Sequence, residues 1–148
     1  RRREDIWLQW LHDDEWAFPR FAKAAGAVVR AGGKVGVGAH GQRQGLGYHW
    51  ELWSLARGMS NHEVLRAATV GGASIIGLEQ DLGTIEPGKM ADLVVLDADP
   101  LEDIHNSTAI RYVIKNGVIY AADTLSELLP ESRQRDWLQG WQDALPIR

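Results

Sequence analysis

Cysteine is absent from the 148 residues. That absence removes disulfide frameworks, thiolate zinc sites and cysteine nucleophiles together, and it leaves the redox compartment undetermined. Any metal held by this chain must use His, Asp or Glu. No apolar run approaches the roughly 20 residues of a spanning helix. Arg1-Arg2-Arg3-Glu4-Asp5 is not followed by an apolar stretch of signal-peptide type, so we expect no membrane-inserted segment. Basic charge is not in excess either: 16 Lys and Arg stand against 20 Asp and Glu, for a formal charge of -4. With a sequence pI near 5.7, electrostatics give no reason to expect a nucleic-acid partner. The chain opens on Arg1 rather than Met, from which we expect a natural beginning upstream and a fragment of a longer protein.

What is present is the composition of one ordinary globular domain, 45% hydrophobic and 24% charged, which excludes wholesale disorder, collagen and coiled coil. Residues 6–16 read as a short helix carrying Trp7, Trp10 and Trp16 among charges. From Pro19, the spacing of Phe21, Ala24, Ala25, Val28 and Val29 predicts a helix with one buried face, stopped at Gly32-Gly33. Lys34-Val35-Gly36-Val37-Gly38-Ala39 reads as a strand buried on both faces that ends at His40. A polar, Gly-rich loop over 41–47 leads to a helix over 48–57. Ser60 and Glu63 then form an S-x-x-E capping box. Met59 and Val64 stand at the hydrophobic-staple positions, and Val64, Leu65, Ala68, Ile75 and Ile76 supply an apolar face before Gly77 stops the helix. Helix, strand, loop, helix is the grammar of an alternating α/β unit.

Beyond Gly77 the pattern turns to antiparallel β. Pro87-Gly88 suits a type II turn, Ala91 to Asp97 reads as a buried strand, and Ile110–Lys115 and Val118–Ala122 flank Asn116-Gly117, a strong hairpin signal. Asp92 should bond nearby backbone or pair with Lys89. Thr124 and Glu127 make a second capping box ahead of Leu125, Leu128 and Leu129. Trp137 and Trp141 sit one helical turn apart, which predicts a helical tail. The organisation expected is therefore an alternating α/β segment over 1–78, small-sheet strands over 79–123 and a helical tail over 124–148.

His40 is the sharpest candidate for chemistry, because it would project from the carboxyl end of a strand, where α/β barrels place ligands. His49 and Glu51 open the next helix. H-W-E-L-W is not H-E-x-x-H, since Trp53 stands where a second zinc ligand would be. His12, His62 and His105 read as surface residues, and Asp97, Asp99 and Asp103 as turn and capping residues. No dinucleotide fingerprint, phosphate loop or nucleophile elbow is present. Seven Trp residues could form a sugar platform at Trp50 and Trp53, but helical spacing makes core packing the simpler use.

The run Gly83 to Asp97, G-T-I-E-P-G-K-M-A-D-L-V-V-L-D, resembles the C-terminal signature of the amidohydrolase superfamily. Ser60 to Thr69 is similar to that family's last barrel helix, and Ile110 to Tyr120 to its returning hairpin. The G-A-H-G-Q and G-Y-H-W-E-L runs are similar to imidazolonepropionase-like and prolidase-like members of the type often fused to a β-propeller. The resemblance covers most of Pro19 to Leu129.

It implies a fold of class α/β: the last part of a (β/α)8 TIM-type barrel, plus strands of a small β-sandwich and the C-terminal helical tail. It further implies a metal-dependent hydrolase of C–N bonds in small-molecule cyclic amides or dipeptides, inactive as this piece alone. The divalent metal, zinc by resemblance, would take its other ligands from the remainder of the barrel. Where the family carries a strand-end Asp as ligand and base, this sequence has His40. An imidazole can bind zinc or take a proton but brings no negative charge. His40 is thus the expected catalytic residue and stand-in metal ligand, with His49 and Glu51 lining the substrate pocket or supporting it from behind. Homo-oligomer formation is compatible with the resemblance, and propeller-associated relatives make export to the periplasm an expectation. The alternative, from another class, is a noncatalytic packing or assembly module.

Overall fold

The computed structural model describes residues 17–40 and 45–132. The helix expected over 6–16 and the Trp137/Trp141 pair lie outside these. Helix α1, Phe18–Arg30, has Pro in its first turn, where a missing N–H costs no intrahelical bond. Its buried face is not the expected one. Ala22 and Gly26 are buried, with Ala25 and Val29 packed beside them, whereas Phe21 is 70% and Val28 46% exposed. Small residues let the neighbouring chain approach closely, and the larger side chains are left on the outer side.

Residues 34–39 do not join a sheet. Along them Val35, Val37 and Ala39 are half-buried while Gly36, Gly38 and His40 are exposed. Val35 and Val37 pack on the core cluster of Leu52, Met59, Val64, Ala67 and Ile104. A strand buried on both faces needs partners to complete its ladder, and among the described residues none lies beside it. Among the described residues the run is a segment with one face on the core and no sheet partner.

Helix α2, Leu46–Leu55, follows Gly45 at φ 74°. Helix α3, Asn61–Arg66, starts as expected. Ser60 Oγ accepts from Glu63 N at 3.3 Å, and Glu63 Oε2 accepts from Ser60 N at 2.8 Å. Met59 and Val64 are both buried beneath it. The chain then passes through a π-helical turn, Ala67–Gly71, into α4, Gly72–Ile75. Two causes act at that turn. Thr69 Oγ1 donates to Leu65 O at 2.8 Å, a back-bond that competes with the helix ladder. A Cβ on Gly71 would stand 2.5 Å from Val35 O, so only glycine lets the 34–39 segment lie so close. Ile75 and Ile76, expected on the apolar face, are 52% and 67% exposed, while Ala67 and Ala73 are buried in their place.

The four-stranded antiparallel sheet has order β1-β2-β3-β4, with β1 Leu93–Leu96, β2 Ile110–Lys115, β3 Val118–Ala121 and β4 Glu127–Leu129. The hairpin expected at Asn116-Gly117 forms with φ 50° and 81° at these residues and pairs Lys115 with Val118, the geometry of a two-residue primed turn. Its tip is tied to the signature run: Gly117 N donates to Ala91 O at 3.0 Å and Asn116 N to an Asp92 carboxylate oxygen at 2.7 Å. Asp92 takes its ion pair from Lys115 rather than Lys89. Lys89 instead donates to Glu79 O at 2.7 Å and to Thr84. The Pro87-Gly88 turn closes with Lys89 N donating to Glu86 O at 3.3 Å and φ 92° at Gly88.

Two further expectations are corrected. The β1 strand is not buried, since Val94 is 56% and Val95 38% exposed. Thr124 and Glu127 start no helix: Thr124 Oγ1 accepts from Ser126 N at 3.3 Å, and Glu127–Leu129 pairs with β3. Pro130, two residues past Leu128, would interrupt a helix begun at Thr124, and the open edge of β3 offers the backbone a ladder instead. The rest of the expected tail lies outside the described residues. No helix among the described residues is long and apolar enough to cross a membrane.

Candidate functional site

His40 ends the 34–39 segment in a left-handed conformation, φ 52°, with its side chain exposed. That conformation is uncommon for a residue with a Cβ. His62, also exposed, lies in the first turn of α3 beside the capping box.

His49 sits on the first half of α2, half-buried, with Nδ1 3.0 Å from Ser107 Oγ. Ser107 is the buried polar residue of the 3-10 turn Ile104–Thr108, at 5% exposure. Trp53 Nε1, one turn further along α2, donates to the same Ser107 Oγ at 3.3 Å. Because an indole N–H can only donate, Ser107 accepts from Trp53, and its remaining hydrogen-bonding capacity goes to Nδ1 of the neutral His49 ring. Burial lowers the His49 pKa below the usual imidazole value, in keeping with that neutral form. The Tyr48 ring lies edge-on to His49 at 6.3 Å, and the Tyr48 hydroxyl donates to Ala68 O at 3.0 Å. Burial pushes that phenol up.

Glu51, two residues beyond His49, is exposed. Two helical residues stand about 200° apart around the axis, so His49 and Glu51 do not share a face. His105 lies on the other side of Trp53, with ring centroids 4.6 Å apart. Its Nδ1 and backbone N both meet Asp103 Oδ1, at 2.8 and 2.9 Å. The His105 contacts hold the Asp103 carboxyl below its ordinary range. Asp99 likewise caps Leu101 N at 2.7 Å, so Asp99 and Asp103 make the expected capping bonds, whereas the Asp97 side chain pairs with Arg111 at 3.4 Å.

Ser107 and the polar role of Trp53 escaped sequence reasoning. Trp53 reads as packing by its helical spacing, and nothing local in I-H-N-S-T marks one hydroxyl as the partner of a helix 54 to 58 residues away. Among the described residues, no three His, Asp or Glu side chains converge on a point that could hold a metal ion. His40 offers one donor where catalytic zinc sites use about three. These residues do not fit a metal site by themselves.

The comparisons with known proteins agree with this architecture. An imidazolonepropionase of Picrophilus torridus is 36% identical over 63 residues, 40% of this chain and 16% of that protein. A 5'-deoxyadenosine deaminase of Methanobrevibacter smithii is 34% identical over 67 residues, 45% of this chain and 14% of that protein. The crystal structure of a Xaa-Pro dipeptidase with bound methionine in its active site superposes with a TM-score of 0.61 and 29% identity, over 70% of this chain and 26% of that one. The chain thus spans well under a third of each relative's length. The model of the amidohydrolase family matches residues 24–120, well over half of the chain, and the chain belongs to that family.

Proposed function

We propose that this chain forms the C-terminal part of an amidohydrolase that breaks C–N bonds in small molecules of cyclic-amide or dipeptide type. The carrying observation is the family match over residues 24–120, with relatives named as a deaminase, an imidazolonepropionase and a Xaa-Pro dipeptidase. Deamination and dipeptide cleavage both break a C–N bond. In this reading residues 34–39 are the last strand of a (β/α)8 barrel, completed by parts of the protein that the chain does not contain. The exposed Gly36, Gly38 and His40 are consistent with a surface such parts would cover.

His40 then stands at the strand's carboxyl end and moves the proton, accepting it from the attacking water and returning it to the departing nitrogen. A group so placed in the transition state contributes about 10² to 10⁴-fold. His49 supports the site indirectly, since Ser107 and Trp53 fix the start of α2, the helix entered from the His40 loop. The divalent metal of this reading, zinc by resemblance, would take its ligands from parts of the protein outside the described residues, which leaves the basic nitrogen of His40 for the proton.

The test is hydrolysis by the intact protein that contains this chain, against a panel of Xaa-Pro dipeptides and cyclic amides, with ninhydrin or absorbance detection. Turnover of one of these classes is expected, and absence of turnover on both would overturn the proposed function.

A further inference from the structure

Between α1 and α3 lies a recess of about 240 Å³ lined by the apolar Val29, Val35 and Val70 and by the polar Lys34, Glu63, Arg66 and Ser74. It opens at the Lys34 end of the 34–39 segment, the end away from His40.

The charges on this lining are not balanced within the described residues. Glu63 lies three residues before Arg66 on α3, the spacing at which a helix would pair them. Its carboxylate is already committed. Oε1 accepts from Arg30 Nη1 at 3.2 Å, and Oε2 accepts from Ser60 N at 2.8 Å and Ser60 Oγ at 2.9 Å. The capping box and Arg30 therefore take the acid that would otherwise neutralise Arg66, which has no hydrogen bond or ion pair among the described residues. Lys34 Nζ makes one long bond, to Ser74 O at 3.4 Å, and keeps two N–H donors for the recess. Two cations thus flank an apolar hollow, with the Glu63 charge turned toward Arg30 and Ser60.

We infer that this recess binds a small monoanion with a branched aliphatic body, a carboxylate whose two oxygens meet Arg66 and Lys34 while its methyl groups rest on the three valines. Guanidinium matches a carboxylate through paired N–H donors, and the valine lining selects against a bare inorganic ion. The site is distinct from the one at His40 and does not rest on the hydrolase reading.

The probe is isovalerate, titrated into the ¹⁵N-labelled intact protein that contains this chain and followed by amide chemical shifts. Saturable shifts at Val35, Gly71 and Ser74 in the millimolar range are expected. Isovaleramide, the same shape without charge, should bind about tenfold more weakly, the scale of one lost charge-assisted bond. Lys34→Gln and Arg66→Gln should each weaken isovalerate by about tenfold with unchanged melting, while Arg57→Gln, a surface control, leaves it alone. Three results would each overturn the inference: equal response to the acid and the amide, inorganic phosphate binding as tightly as isovalerate, or a Lys34→Gln/Arg66→Gln double variant that keeps wild-type affinity.

Discussion

Ser107 shows how much one buried hydroxyl can organise. It joins two α2 side chains to a turn more than fifty residues away, and its removal would leave an indole donor and an imidazole nitrogen unpaired in a partly dry site. Ser107→Ala should therefore cost about 1–3 kcal/mol, measured by urea unfolding. His49 adds a pH dependence whose sign follows from its lowered pKa. The unfolded imidazole binds a proton near its ordinary value of about 6.5, while the folded one resists protonation until lower pH. Stability is thus complete above the unfolded value and falls as pH drops from there toward the depressed folded value. Melting followed from pH 7.5 downward, in about half-unit steps, should show this decline in the wild type and lose most of it in His49→Gln. Glu63, Asp92 and Asp103, whose carboxyls are held low by hydrogen bonds and nearby cations, stabilise the fold throughout the imidazole range and lose that contribution only as pH falls below their ordinary values of about 4. A wild-type profile flat across the imidazole range would remove His49 as its cause.

Among the elements, those whose cause lies within a few residues are legible in the sequence. The Ser60/Glu63 capping box, the Met59/Val64 staple, the Pro87-Gly88 turn and the Asn116-Gly117 hairpin all depend on neighbours along the chain, and all form as expected. Where the cause is a distant partner, local pattern misleads. The periodicity of α1 admits two apolar faces, and close approach selected the one with Ala22 and Gly26. Glu127–Leu129 has a capping signal before it, yet the β3 edge captured it as a strand. At the candidate site the same division holds: His40 was visible as the end of an apolar run, whereas the Ser107 link to His49 was not. Two variants test the elements. Gly117→Val places a β-branched residue at φ 81° and should destabilise by about 1–3 kcal/mol. Gly71→Ala gains helix propensity, but its methyl group would stand 2.5 Å from Val35 O. Backbone cannot yield as a side chain can, so overpacking by about 1–3 kcal/mol should outweigh the propensity gain of about 1 kcal/mol. Thermal melting that rises in Gly71→Ala would contradict the close packing of residues 34–39 on the helix.

At the scale of the whole molecule, the described residues leave several large apolar side chains exposed. Phe21, Val28, Ile75, Ile76 and Ile85 are exposed large hydrophobics, and the four-stranded sheet leaves Val94 and Leu129 uncovered. With His40 at the end of residues 34–39 and no converging ligand set among the described residues, the 148-residue chain dialysed with zinc should retain well under one equivalent by elemental analysis, since catalytic sites use about three protein ligands. One tightly held equivalent would place a metal site within the chain and contradict the proposed division of ligands. The proposed function itself turns on His40. In the intact protein, His40→Ala should lower kcat on the preferred C–N substrate by roughly 10²-fold or more, with thermal melting unchanged, while His62→Ala and His105→Ala stay near wild type. A His40→Ala enzyme with wild-type kcat, or one whose loss of activity follows its loss of fold, would contradict the assignment of proton transfer to this strand end.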